Sequence, residues 1–230
     1  MAGDTPSIIL DDLLVERGRR AVLRDVSLAL GIGINAVVGA NGSGKSSLLR
    51  TLATVEPPAG GRLRISGLDP ANRRGLRSIR QDLGYLPQQW DLPAGTRVID
   101  ALRHGAWLHR CVDPPAAIDA ISAELELRDQ WNTRLAQLSG GTRRRVAIAQ
   151  SALHRPRVLL LDEPTAGLDV GQRAVLWAWL RAHASAAVVV IVTHDLDEVV
   201  AHADRAVVVS GGGARAWPVE DRNQIAAVLS

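Results

Sequence analysis

Gly39-Ala40-Asn41-Gly42-Ser43-Gly44-Lys45-Ser46 follows the apolar run 34–38 and leads into Ser47, Leu48 and Leu49. A glycine, four residues, a second glycine, a lysine and a hydroxyl residue, set between a strand and a helix, make a phosphate-binding turn. Backbone N–H groups of the glycine-rich stretch wrap the anion, the ammonium reaches its terminal oxygens, and the Ser46 hydroxyl can ligate Mg²⁺. The contacts expected from this turn are Gly39, Asn41, Gly42, Ser43, Gly44, Lys45, Ser46 and Ser47. Composition sharpens the reading, because Lys45 is the only lysine among 27 basic side chains and all the others are arginine. A compact ammonium on a flexible stem fits between phosphates where the broad guanidinium fork does not.

The chain has 230 residues, 47% of them hydrophobic, enough for one sizeable α/β domain with an inserted subdomain. No apolar stretch approaches the roughly 18 residues that span a bilayer, and the N-terminus lacks the features of a signal peptide. A cytoplasmic protein without direct membrane insertion is therefore expected. Cys111 is the single cysteine and cannot form an internal disulfide. The net charge is only +3, and with no Phe and one Tyr a base-stacking surface is not expected, so nucleic acid is not a predicted partner.

Outward from the turn, residues 7–15 and 27–30 read as strands around an arginine-rich turn, and 63–66 as a short strand between glycines. Apolar residues at three- and four-residue spacing predict helices over 98–108, 115–125 and 142–153. Val/Leu-rich runs at 158–161 and 188–192 read as buried parallel strands with a helix over 171–183 between them, and 207–210 as a last strand. This divides the chain into an α/β core (1–90 and 152–210), a helical subdomain (91–151) and a short tail (211–230).

Val158-Leu159-Leu160-Leu161-Asp162-Glu163 places two carboxylates at the C-terminal edge of a parallel sheet, where ligands of such folds bind. Asp162 can hold Mg²⁺ through water, and Glu163 can accept a proton from an attacking water. Leu138-Ser139-Gly140-Gly141-Thr142 adds a helix start with a serine cap, a close backbone approach and a positive dipole end, a second anion site. The run 143–145 and the cluster Arg73, Arg74, Arg77 and Arg80 read as solvated faces. Trp90 and Trp107 suit either core packing or a groove that receives a helix.

With Leu-Ser-Gly-Gly in place, the chain resembles the ATP-binding subunit of ATP-binding cassette (ABC) transporters over nearly its whole length. The resemblance implies an α/β P-loop NTPase (RecA-like) core with an antiparallel β edge and an inserted α-helical subdomain. It also implies ATP and Mg²⁺ as cofactors, a separate membrane permease, and a head-to-tail dimer with ATP at the interface. Lys45 and Ser46 of one copy would then face Ser139, Gly140 and Gly141 of the other. Gln88, in Tyr85-Leu86-Pro87-Gln88, corresponds to the glutamine beside Mg²⁺ and the permease contact. Asp169 corresponds to the aspartate touching the opposite subunit, and His194 to the histidine that holds the γ-phosphate and positions Glu163. Read alone, these three suit a solvated loop, a helix cap and a strand-end histidine. The implied catalytic set is Lys45, Gln88, Glu163 and His194, with Ser46, Gln88 and Asp162 toward the metal.

Two positions depart from the family. Arg17 stands where an aromatic ring usually stacks on adenine, and Thr142 where glutamine is frequent. Tyr85-Leu86-Pro87-Gln88 and the arginine run after Gly141 are similar to exporters resembling daunorubicin-resistance ATPases, so a permease-driving exporter subunit is expected. An importer subunit and a soluble, non-transport ABC ATPase are the alternatives. Intact Glu163 and His194 argue against a regulatory module that holds ATP without turnover.

Overall fold

The computed structural model describes residues 7–219 and Ile225. The N-terminal methionine segment and most of the expected tail after residue 219 lie outside the described residues.

Buried and exposed residues interchange along Ile8–Arg17 (β1) and Arg20–Leu30 (β2), as expected of strands with one face on a core. They pair antiparallel, Ile8 opposite Leu30 and Arg17 opposite Arg20, with bulges that bend the ribbon. Gly33–Gly39 (β3) is different, because every residue in it is buried, the signature of a parallel strand covered on both faces. The phosphate turn delivers the chain to Lys45–Leu52 (α1), and Gly60–Ile65 (β4) returns to the free side of β1. The result is a three-stranded sheet in the order β2-β1-β4.

Arg73–Gln81 (α2) starts at Asn72, whose side chain accepts from Arg74 N, and precedes Leu83–Leu86 (β5). Three helices follow: Val98–Leu108 (α3), Pro114–Glu124 (α4) and Gly140–Ala152 (α5), with 3-10 turns at Arg128–Gln130 and Leu135–Gln137. Then Val158–Asp162 (β6), Val170–Ala184 (α6), Val188–Val192 (β7), Leu196–His202 (α7), Arg205–Ser210 (β8) and Gly213–Trp217 (β9) complete the described chain. The second sheet runs β5-β6-β7-β3-β8-β9, parallel except for the β8–β9 hairpin.

Side chains of a strand alternate between faces, and here the alternation builds two cores on the one sheet. Leu159, Leu161, Val189 and Ile191 face α3, α5 and α6 with Leu102, Ile148, Leu176 and Leu180. Leu160, Val190, Val192 and Val207 face α1 and the antiparallel sheet with Leu13, Leu23, Leu48 and Leu52. The parallel sheet is thus clamped between helices on one side and α1 plus β1, β2 and β4 on the other. All its parallel strands end at the same edge.

The α/β class with an antiparallel edge and inserted helices is borne out. Several local expectations are not. The strand predicted over 27–30 is only the end of β2, because charged residues interrupt the apolar pattern earlier in that strand. The expected tail contains β9, which pairs with β8 across the Gly211-Gly212 turn. Of the run 143–145 only Arg143 is exposed as expected: Arg145 is 7% exposed and Arg144 is partly covered, because backbone carbonyls receive both guanidinium groups. Arg73, Arg74, Arg77 and Arg80 are exposed along α2 as expected. Trp90 packs against the core and donates Nε1 to Gln150 Oε1 (2.7 Å), whereas Trp107 is 73% exposed. Among the described residues no helix is long and apolar enough to cross a membrane.

Candidate active site

The turn after β3 ends on Gly44, whose φ of +111° lies where a side chain is strained, and a Cβ there would sit 2.7 Å from Val22 Cγ1. Gly44 caps α1 without a side-chain hydrogen bond, and no acidic residue stands in the first turn. The orphan N–H groups and positive dipole end of α1 are therefore open to an anion. Lys45 Nζ folds back over the turn and donates to Gly39 O (2.7 Å) and Ala40 O (2.9 Å). Burial pulls its pKa below the usual lysine value, and the charges of Glu163 and Asp162 oppose that shift.

Those two carboxylates stand at the end of β6. Asp162 is 2% exposed; burial raises its carboxyl pKa, and a hydrogen bond with Ser46 works the other way. Asp162 Oδ1 and Ser43 Oγ are buried without a hydrogen-bond partner in the protein. An orphaned buried carboxylate oxygen on Asp162, whose carboxylate also meets the Ser46 hydroxyl, fits a hard cation such as Mg²⁺, which takes few protein oxygens and completes its octahedron with phosphate and water. No cluster of three or more acidic, His or Cys side chains suited to a metal occurs among the described residues, in keeping with that sparse donor set.

Glu163 turns the chain away from β6 with φ +51°, a left-handed conformation that costs a non-glycine residue on the order of 1–3 kcal/mol. Its N–H donates to Val192 O (2.9 Å) and its carbonyl accepts from Ala166 N (3.2 Å). Its Oε1 lies 3.4 Å from His194 Nδ1, in the loop after β7. Thr193, just before that histidine, is tied to the phosphate strand by its N–H on Val37 O (3.2 Å).

Lys45, Ser46, Asp162, Glu163 and His194 therefore meet at the C-terminal edges of β3, β6 and β7. Beside them, Gln88, Gly140, Arg143, Arg144, Glu163 and Gly167 line a cleft of about 520 Å³. Gln88 itself is exposed in the loop after β5. Ser139 caps α5, accepting from Thr142 N (3.1 Å) and lying 2.9 Å from Thr142 Oγ1. Asp169 caps α6 in a reciprocal box with Gln172, and a Cβ on Gly141 would run into Gln172 Oε1. The Ser139 and Asp169 helix starts are thus one surface. That surface belongs to α5 and α6, whereas α1 packs on β1, β3, β6 and β7. Arg17 is exposed at the β1–β2 turn.

Sequence reasoning missed Arg144. Its Nη2 donates to the carbonyls of Asp162 and Glu163 (2.9 Å to the latter), and its Nη1 lies 3.4 and 3.3 Å from those of Pro87 and Gln88. Backbone carbonyls carry no residue-type signal, so the pairing was visible only as one arginine among three.

The profile of the family described as ABC transporter matches residues 23–166. The aliphatic sulfonates import ATP-binding protein SsuB of Pseudomonas entomophila is 38% identical over 211 residues, covering 88% of this chain and 72% of the relative. The methionine import ATP-binding protein MetN 2 of Salmonella choleraesuis is 36% identical over 82% of the chain, and the sulfate/thiosulfate import ATP-binding protein CysA of Mesostigma viride 35% over 90%. The chain spans 58% and 60% of the length of these two relatives. Among solved structures, an ATP-binding subunit of an ABC transporter superposes with TM-score 0.83 at 23% identity, covering 97% of this chain and 95% of that one. A bacterial Atm1-family ABC exporter with ATP bound gives TM-score 0.86 at 26% identity, with 99% of this chain and 42% of that one covered. A family profile over more than half of the chain, and relatives at least 35% identical over 82–90% of it, place it in the ABC transporter family as an ATP-binding domain with ATPase activity.

Proposed function

We propose that this chain is the ATP-hydrolysing subunit of an ABC importer, bound to a separate membrane permease at the cytoplasmic face and paired head to tail with a second copy. The observation that carries the motor reading is the convergence of the uncapped α1 start, Lys45, Ser46, Asp162 and Glu163 on one sheet edge. The import direction is supported by relatives over 82–90% of the chain whose names are import ATP-binding proteins. The exporter direction expected from the sequence rested on two short stretches around Gln88 and Thr142. Both border the nucleotide, whose chemistry is the same whichever way the solute moves.

In this reading the N–H groups of Gly42, Ser43, Gly44, Lys45, Ser46 and Ser47 cradle the phosphates, with Gly39 and Asn41 shaping the turn. Lys45 exchanges its two carbonyl partners for phosphate oxygens. Ser46 and Asp162 hold Mg²⁺, with Gln88 reaching toward it from its loop, and the ion when bound neutralises phosphate charge. Glu163 accepts the proton of the attacking water, and His194, beside it, fixes the carboxylate and the γ-phosphate. The Ser139-Gly140-Gly141 helix start of the second copy caps the γ-phosphate, and Asp169 faces the opposite subunit. Arg17 lies where a guanidinium plane would cover the base.

The test is transport in vesicles reconstituted with the permease and ATP on one side. Solute should accumulate on the side that holds ATP, and Glu163→Gln should stop it while slowing hydrolysis by about 10²-fold or more, the usual contribution of a general base. Movement away from the ATP side overturns import. Parental hydrolysis by Glu163→Gln removes that residue from its role.

A further inference from the structure

Arg144 stands in the first turns of α5, five residues after the Ser139 cap, and reaches back into the sheet edge. Its guanidinium serves carbonyls from two separate segments: Asp162 and Glu163 at the end of β6, and Pro87 and Gln88 after β5. A solvated arginine makes no such set. A planar fork of five donors that never loses its charge is the one side chain able to satisfy several carbonyls at once.

The consequence lies at Glu163. Its φ of +51° is a conformation that a glutamate holds only under constraint from its surroundings. The peptide before its Cα is fixed at both ends, with the Asp162 carbonyl on Arg144 and the Glu163 N–H on Val192 O. The peptide after its Cα is fixed through the Glu163 carbonyl, which accepts from both Arg144 and Ala166 N. Two held planes determine φ and ψ between them, and with them the direction of the side chain. Without Arg144 the first plane keeps only its N–H anchor and the second only the Ala166 contact.

We propose that Arg144 is a positioning residue for ATP hydrolysis: by holding both peptide planes that flank Glu163 it aims the Glu163 carboxylate, and it couples that aim to the position of α5 and of the Gln88 loop. The inference rests on Glu163 being the proton acceptor. It explains why the helix that begins with Ser139 is mechanically tied to the acid of its own subunit.

The experiment uses the full chain with Arg144→Ala, Arg144→Lys, Glu163→Gln and the Arg144→Ala/Glu163→Gln double variant. Steady-state ATPase kinetics are read beside ATP affinity by calorimetry. Arg144→Ala should lower kcat by ~10-fold or more, since a misplaced group costs up to about 10²-fold, while KM and Kd stay within about 3-fold. Arg144→Lys should recover part of the rate, because an ammonium reaches some of the same carbonyls. In the Glu163→Gln background, Arg144→Ala should lower the residual rate by less than ~2-fold, the non-additivity of residues acting as a unit. Equal fractional losses in both backgrounds, a parental kcat, or a loss confined to KM and Kd would each overturn the proposal. Should Arg144→Ala fail to fold, Arg144→Gln, which keeps length and one amide donor pair, takes its place with the same expected split. Parental turnover by Glu163→Gln alone would remove the proton-acceptor role itself, a result visible without touching Arg144.

Discussion

At a single residue, Lys45 shows how size rather than charge selects a side chain. It is 7% exposed, with its ammonium donating to the turn carbonyls of Gly39 and Ala40, which it gives up for phosphate oxygens in the proposed function. The many arginines do other work. Arg62 with Asp11 and Arg128 with Asp119 are exposed pairs worth little to stability, while Arg144 and Arg145 use their forks on carbonyls. Lys45→Arg should therefore lower ATP affinity by about 10-fold or more with the charge unchanged, since hydrogen bonds to a charged group are worth roughly 1.5–3 kcal/mol each. Titration calorimetry checks it. Equal affinity would mean that the cradle accepts a guanidinium.

The helix starts form a pattern that no single residue shows. Asn72, Asp113, Ser139, Asp169 and Asp195 each accept a backbone N–H at the start of a helix. α1 begins on Gly44 with none. α3 also lacks a side-chain cap, but its first N–H groups go to the carbonyls of Thr133 and Trp131, so the start of α1 is the one that leaves its donors to a ligand among the described helices α1 to α7. At α6 the cap also has neighbours, because Asp169 and Gln172 form a reciprocal box and Gln172 abuts Gly141 of the α5 start. Asp169→Ala should reduce stability by about 1 kcal/mol in urea unfolding, whereas Asp169→Asn, which keeps an accepting oxygen, should stay near the parent. Should Asn be as damaging as Ala, the loss is one of charge and the cap is incidental.

Over the whole molecule, half-buried imidazoles link stability to pH. His109, just beyond α3, and His154, just beyond α5, stack with ring centroids 3.8 Å apart and planes 4° from parallel. Burial, and then the neighbouring His109, depress the His154 pKa to about 3. As pH falls below about 6.5 the unfolded chain takes up this proton while the folded chain does not, so stability is full above pH 7 and is lost progressively down to about pH 3. The loss at pH 5 relative to pH 7.5 is roughly 2 kcal/mol for this one group. His154→Phe, which keeps a flat ring against His109, should flatten the pH dependence of thermal unfolding by that amount. Burial also lowers the pKa of His109, His183 and His202, so a smaller slope of the same sign should persist. An unchanged slope would show that His154 is protonated in the folded state.

The turn at 39–46, the acids at 162–163 and the helix start at 139–142 were legible from the sequence because each is a contiguous stretch whose own backbone makes the feature. Long elements with a clear period were legible too, with α3 and β7 expected over the residues they occupy. The short elements β5, β9 and α7 were not, since a few residues carry too little periodicity to separate strand, helix and loop. Adjacency also came only from the fold. Lys45 met Asp162 and Glu163 because β3 and β6 both flank β7 and end at the same edge. Arg144 is the sharpest case: the sequence determined that a basic run follows the glycines, but only tertiary structure decided that Arg144 turns inward onto the sheet edge, as Arg145 turns onto the end of α4, while Arg143 stays exposed. The partners of Arg144 are carbonyls, identical at every residue, and nothing but their positions in space distinguishes them.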